Sequence, residues 1–392
     1  MNKKIARIIV LLLLISTASV SWFYYDATFL DKTNPSPELE MEGKPTFFNS
    51  DYCLNAADST EYLNSTYRWV KVTCEADFAP RDGAGALVFK DSLWLIGGWN
   101  PKDTFEFPLR CNNEVWNSYE GKTWNLVKEN TFVDSLYDPE KDWEGRHTAG
   151  YVVFNGKMWI IGGDANQGHY QNDIWNSENG RHWEKVIDSV PWAPRVLHYT
   201  VVFDDKIWVI GGQTLPQFAE YEELFYADVW NSEDGLHWNK VESEKSKWLP
   251  RGLISGRAIF KNRIWILGGS TYDTPIHTSR KLYNDVWSSK DGKSWDCHTQ
   301  EAEWDMRNYH SVAVWDDKLW VFDGTFSKQI YGVGNTNEVW FSENGEHWTE
   351  LKPSPWKPRH ASSVFVKDDV IYLVAGNNME SDVWKLEKIN PF

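Results

Sequence analysis

The chain alternates short apolar runs with turn-forming residues, and the alternation repeats. One stretch, Arg146 to Val186, reads RHTAGYVVFNGKMWIIGG, then a loop, then NDIWNSENGRHWEKV. The next, Arg195 to Val241, keeps that order with RVLHYTVVFDDKIWVIGG and ADVWNSEDGLHWNKV. Further copies open at Arg81, Arg251, Arg307 and Arg359. The period is roughly 50–65 residues, in the range of propeller blades.

Each copy predicts four strands. The first ends at Phe89, Phe154, Phe203 or Phe260, and the second carries LWLIGG, MWIIGG, IWVIGG, IWILGG, LWVFDG or IYLVAG. The third holds EVW, DIW or DVW, and the fourth starts at the Trp that follows a hairpin. SYEGKTW, SENGRHW, SEDGLHW, SKDGKSW and SENGEHW form those hairpins, with Gly where a tight turn needs positive φ. The last copy stops at DVWKLEKINPF without its fourth strand, whereas RWVKV (Arg68 to Val72) precedes the first copy and matches HWNKV and HWEKV. The spacing therefore predicts an all-β, six-bladed propeller over residues 67–386, with a tail at 387–392. The segment 68–72 is expected to pair onto the last blade, closing the ring and covering a sheet edge.

The 25 Trp follow the same bookkeeping, since all but Trp22, Trp99 and Trp315 fall into four series. Second strands use Trp94, Trp159, Trp208, Trp265 and Trp320, with Tyr372 in the sixth. A fourth series, Trp143, Trp192, Trp248, Trp304 and Trp356, stands three residues before a blade-opening Arg, with Phe78 before Arg81. A residue repeated in every blade is expected to pack blades.

The doublets Gly97-Gly98, Gly162-Gly163, Gly211-Gly212 and Gly268-Gly269, followed by spaced Trp, resemble the kelch family. Blades five and six depart from the doublet with Asp323-Gly324 and Ala375-Gly376. The hairpins also resemble the Asp-box of sialidases, one residue shorter. Among kelch-type enzymes, the copper set of galactose oxidase does not map onto Cys53, Cys74, Cys111 and Cys297. The iron motif of nitrile-specifier proteins meets Gly269, Asp273 and His277, without its first carboxylate. Bacterial sialic-acid mutarotases are similar in being exported six-bladed kelch propellers, which implies a sugar mutarotase or epimerase as the enzymatic alternative.

Charge narrows the partners. A net −16 lacks the positive patch that nucleic acid or an anionic bilayer requires. Lys3, Lys4 and Arg7 precede an apolar run from Ile8 to Val20 that continues through Tyr25. Residues 1–25 thus read as a signal peptide or a signal anchor, and 26–66 as an extension. Either way the propeller is exported, meeting membrane only through that segment. In an oxidising compartment disulfides persist. Cys74 and Cys111, both placed on the loop face, are expected to pair.

Function is sought on the variable second-to-third loops, which share a face with the blade connections. The same face carries Arg81, Arg146, Arg195, Arg251, Arg307 and Arg359. They form either a cationic mouth for an acidic ligand, with His198, His310 and Trp99, or structural bonds at blade junctions. Asp273 and His277 are further ligand-binding candidates. Arg257 breaks the repeat, since Ala86, Tyr151, Thr200, Val312 and Val364 hold its place elsewhere. It is either an ion-pair partner of Asp323 or a ligand contact; with Glu222 or Glu223 it would do proton transfer in the enzymatic alternative. The leading expectation is a monomeric, non-catalytic module, without metal or cofactor, that binds a glycan or an extracellular protein.

Overall fold

A computed structural model describes residues 51–56, 59–61, 66–133, 137–165, 169–214, 225–243, 248–252, 258–271, 281–326, 334–352 and 354–389. The segment 1–25 lies outside them. Six antiparallel sheets follow one another along the chain. In blade one the strands are Gly85–Phe89, Ser92–Ile96, Val115–Ser118 and Asn125–Lys128, from the innermost outward. Blades two to five keep this order. The second strands are buried at four consecutive positions in blades one, three, five and six, because neighbouring blades cover both faces.

Two-residue turns join innermost to second strands. Lys90-Asp91, Asp204-Asp205, Lys261-Asn262, Asp316-Asp317 and Asp368-Asp369 all have positive φ at both positions, the tight geometry that matches strand twist. The third-to-fourth hairpins are equally uniform. In each of five, a Ser hydroxyl accepts the backbone N–H of the Gly three residues on, at 2.8 Å. Gly180, at φ +73°, shows why that residue is needed: a Cβ there would lie 2.3 Å from the ring of Trp94 in the preceding blade. Gly235, Gly292 and Gly345 meet Trp159, Trp208 and Trp265 in the same way, and Gly121 meets Tyr372.

The sixth sheet comprises Ser363–Lys367, Val370–Val374 and Val383–Lys388, then Tyr67–Thr73 from far upstream. The upstream strand pairs antiparallel with Val383–Lys388, placing Trp69 opposite Leu386. Ser59–Glu61 adds a further short strand outside it. Within every blade, the aromatic that precedes the opening Arg meets the fourth-strand Trp edge to face. The pairs are Phe78–Trp124, Trp143–Trp183, Trp192–Trp238, Trp248–Trp295, Trp304–Trp348 and Trp356–Trp69, with centroids 4.5–6.0 Å apart.

The expected Cys74–Cys111 bond does not form. Cys53 and Cys74 are bonded, with Cα atoms 5.6 Å apart. Cys74 follows the outer strand of blade six, beside the short helix Asp51–Asn55, whereas Cys111 is buried against His147 of blade two. Sharing a face did not bring the two within bonding reach.

Candidate functional site

The six arginines are clamps. Each guanidinium is at most 2% exposed. Arg146, Arg195 and Arg359 meet Asp173, Asp228 and Asp382 at 2.6 Å, Arg251 meets Asp285 at 2.5 Å, and Arg81 meets Glu114 at 2.8 Å. Arg307 pairs with Glu338. Each also donates to the carbonyl two residues upstream and to that of the first residue of the doublet position, Gly97, Gly162, Gly211, Gly268, Asp323 or Ala375, as Arg195 does to Ala193 and Gly211. The carboxylate in turn accepts the indole N–H of the third-strand Trp, as Asp228 does from Trp230 at 2.8 Å. Burial alone would raise the Asp228 carboxyl, but the hydrogen bond and charge of Arg195 hold it below the ordinary range. Buried and each facing a carboxylate, the six guanidinium groups stand as the structural alternative expects.

Two residues after five of the arginines the backbone turns left-handed. Gly83, Thr148, Leu197, Tyr309 and Ala361 have φ of +52° to +57°. They pass hydrogen bonds from blade to blade: Ala361 N to Tyr309 O, Gly83 N to Ala361 O, Thr148 N to Gly83 O and Leu197 N to Thr148 O. From blade five round to blade three this belt borders a central cavity of about 430 Å³, with Gly83, Thr148, Leu197 and Ala361 in its lining. Ala86, Tyr151, Thr200, Val312 and Val364, the five counterparts of Arg257, all line that cavity. Arg257, Glu222, Glu223, Asp273 and His277 lie outside the described residues.

The cavity wall abandons six-fold repetition. His198 Nε2–H donates to Ile161 O of blade two at 3.0 Å, and His310 Nε2–H to Leu267 O of blade four at 2.9 Å. Burial, then the charges of Arg195 and Arg307, push both imidazoles down to about 4, which favours the neutral ring that donates to these carbonyls. Between blades three and four, Ala258 N–H donates to the Tyr199 hydroxyl at 2.6 Å. Between six and one, Ser363 Oγ donates to Ala84 O at 3.2 Å. Between five and six, the buried Asp323 accepts Ser311 N–H at 2.9 Å and Ser362 N–H at 3.4 Å. Burial raises its carboxyl to about 7.

Trp99 sits at the base of the blade-one loop and stacks on His147, centroids 5.9 Å apart. His147 Nδ1–H donates to Asp164 O at 3.2 Å, and Cys111 Sγ lies 3.6 Å from the same nitrogen. Beside them Asp82 is buried, and its Oδ2 accepts Asn377 Nδ2–H at 3.0 Å. Sequence reasoning had not singled out Asp82, Cys111 with His147, or Asn377 as a group. The one available signal was the residue directly after each Arg, where Asp82, His147, Asn308 and His360 are polar.

Residues 197–389 match the family described as the KLHDC2/KLHL20/DRC7 Kelch-repeats domain. With six four-stranded blades and clamps in register, the assignment is decided. This chain is a kelch-repeat β-propeller. The match covers blades three to six, and blades one and two repeat the same Arg–carboxylate–Trp clamp. Kelch propellers are generally protein-interaction modules.

Proposed function

We propose that this propeller is a non-catalytic interaction module that works outside the cytoplasm and holds a protein partner on its loop face. One observation carries the reading: the two faces are built differently. The hairpin face repeats one Ser–Gly–Trp arrangement with little variation. The opposite face bears loops that differ in length and content in every blade. A uniform scaffold with one variable face is how propellers present binding loops. Exposed apolar side chains on that face (Phe105, Leu249 and Met306) favour a protein over a glycan.

Export rests on the charged-then-apolar segment 1–25, and the Cys53–Cys74 bond supports an oxidising compartment. In this reading Tyr67–Thr73 closes the ring, and Arg257 is a contact for a bound acidic group. Cross-linking in intact cells, combined with a glycan array on the full-length chain, tests the proposal. A protein adduct through loop-face positions supports it. Adducts confined to the hairpin face, or a sugar consumed on mixing, contradict it.

A further inference from the structure

Asn-Gly occurs three times in the chain, at Asn155-Gly156, Asn179-Gly180 and Asn344-Gly345. Asparagine is a labile residue, and a following glycine, having no Cβ, leaves the next backbone nitrogen open to the asparagine side chain. The three sites are built in two different ways.

At Asn179 and Asn344 the dipeptide lies in a third-to-fourth hairpin and is locked. Gly180 N–H and Gly345 N–H each donate to a Ser hydroxyl at 2.8 Å, which occupies the nitrogen that would attack. Asn179 Oδ1 accepts Arg181 N–H and His182 N–H at 3.0 Å. Asn344 Oδ1 accepts Glu346 N–H at 2.9 Å and His347 N–H at 3.2 Å. Both glycines are buried against a Trp of the preceding blade, and a Cβ on Gly345 would lie 2.2 Å from the ring of Trp265. Opening either turn displaces a packed indole.

Asn155 and Gly156 instead form the inner turn of blade two, between Gly150–Phe154 and Lys157–Ala165. Both are exposed, with φ of +48° and +72°. Among the described residues, neither the Asn155 side-chain amide nor Gly156 N–H has a hydrogen-bond partner. A Cβ on Gly156 would meet nothing within 4 Å. Asn155 can therefore swing out of the left-handed region, bringing its side-chain carbon onto the Gly156 nitrogen, without displacing a packed group.

We propose that Asn155 is a site of spontaneous deamidation in the folded protein. Solvent base takes the Gly156 N–H proton, and the nitrogen bonds to Asn155 Cγ. The Cγ–Nδ2 bond then breaks, and ammonia leaves with a proton returned by water. Water opens the five-membered succinimide that results. Addition at Cγ gives aspartate. Addition at the Asn155 backbone carbonyl breaks its bond to the Gly156 nitrogen and gives isoaspartate. One water is consumed and one ammonia released, with nothing oxidised or reduced. Either product places a carboxylate on the hairpin face. Isoaspartate also adds a methylene to the main chain of a two-residue turn. Trp159 Nε1–H donates to Phe154 O at the start of that turn, at 2.9 Å, and Gly235 of blade three packs on the same indole.

The test holds the folded full-length chain in mildly alkaline buffer, where the attacking nitrogen loses its proton more readily. Peptide mapping by mass spectrometry follows all three sites, and a urea-unfolded sample supplies the intrinsic rate of each. Relative to that intrinsic rate, Asn155 should convert about tenfold or more faster than Asn179 and Asn344, because the reaction follows how often each segment opens. Ser177→Ala frees Gly180 N–H and should raise conversion at Asn179. Equal relative rates at the three sites, or an Asn155 as protected as the other two, overturn the proposal. An Asn179 that stays protected in Ser177→Ala overturns it as well, since the choice of site rests on that hydrogen bond.

Discussion

Tyr67 stands edge-on over Trp320, with ring centroids 5.2 Å apart and planes at 86°. Four other second-strand Trp are covered by the hairpin Gly of the following blade, but blade six has no such hairpin. Tyr67, on the strand supplied from upstream, takes the place of that contact over blade five. Its hydroxyl donates to Asp316 at 2.5 Å, and its ring also meets Trp315, which belonged to no Trp series. The junction that lacks a hairpin is thus filled by the residue that opens the last strand. Tyr67→Ala is expected to destabilise the propeller by about 3–5 kcal/mol, the range for truncating a large buried aromatic. Chemical denaturation of the single variant checks this, and an unchanged midpoint would contradict it.

The disulfide staples the same strand. Cys53–Cys74 closes a loop of 21 residues, for which chain entropy gives about 3 kcal/mol. Reduction, or Cys53→Ser, should lower the melting temperature, whereas Cys111→Ser should leave the response to reductant unchanged. Peptide mapping under non-reducing conditions should recover Cys53 joined to Cys74.

The clamps predict an asymmetry between stability and binding. Asp228→Asn leaves the Arg195 guanidinium buried without its counter-charge, which costs about 3–5 kcal/mol. The same substitution should leave the partner affinity of the folded fraction unchanged. Melts read beside a binding assay separate the two, and lost affinity without lost stability would restore the arginines as ligand contacts.

Asp323 predicts a pH dependence. Its folded carboxyl is raised from its ordinary 3.8 to about 7, so the folded state binds the proton more tightly than the unfolded chain. Its contribution is fully present below about pH 4 and is lost as pH rises through about 7. Asp323→Asn, an analogue of the protonated acid, should match the native chain below about pH 4 and gain on it progressively until about pH 7, above which the difference is constant. His198 and His310 act oppositely, since their depressed values cost stability as pH falls from about 6.5 through about 4. Melts of the native chain and the Asn variant across pH isolate the Asp323 part, because the histidines are common to both. Parallel curves would contradict it.

What could be read from the sequence was what repeats. The Arg–Gly-Gly–carboxylate–Trp order placed every blade, and the complementary deficit and surplus at the two ends pointed to the strand at Tyr67–Thr73. The role of the arginines stayed open because a repeated cation suits a mouth and a clamp equally. Only burial and the facing carboxylates separate them. The inner-strand turns were missed where Asp-Asp or Lys-Asp replaces the usual Asn-Gly, since those residues adopt positive φ less readily. The cavity-wall clasps had no sequence signature, because His198, Tyr199, Ser363 and Asp323 each solve a different junction. Cys53 was expected to be free or distant, and it pairs with Cys74 instead because a five-residue helix outside the repeat carries it there.

The most direct test of the account is hydroxyl-radical footprinting of the full-length chain, alone and bound to its cross-linked partner. The account predicts that protection falls on loop-face side chains, Phe105 foremost, with Leu249 and Met306 next. Tyr119 and Leu236 on the hairpin face should stay as reactive as in the free chain. Protection centred on Tyr119 and Leu236, with Phe105 unchanged, would contradict it.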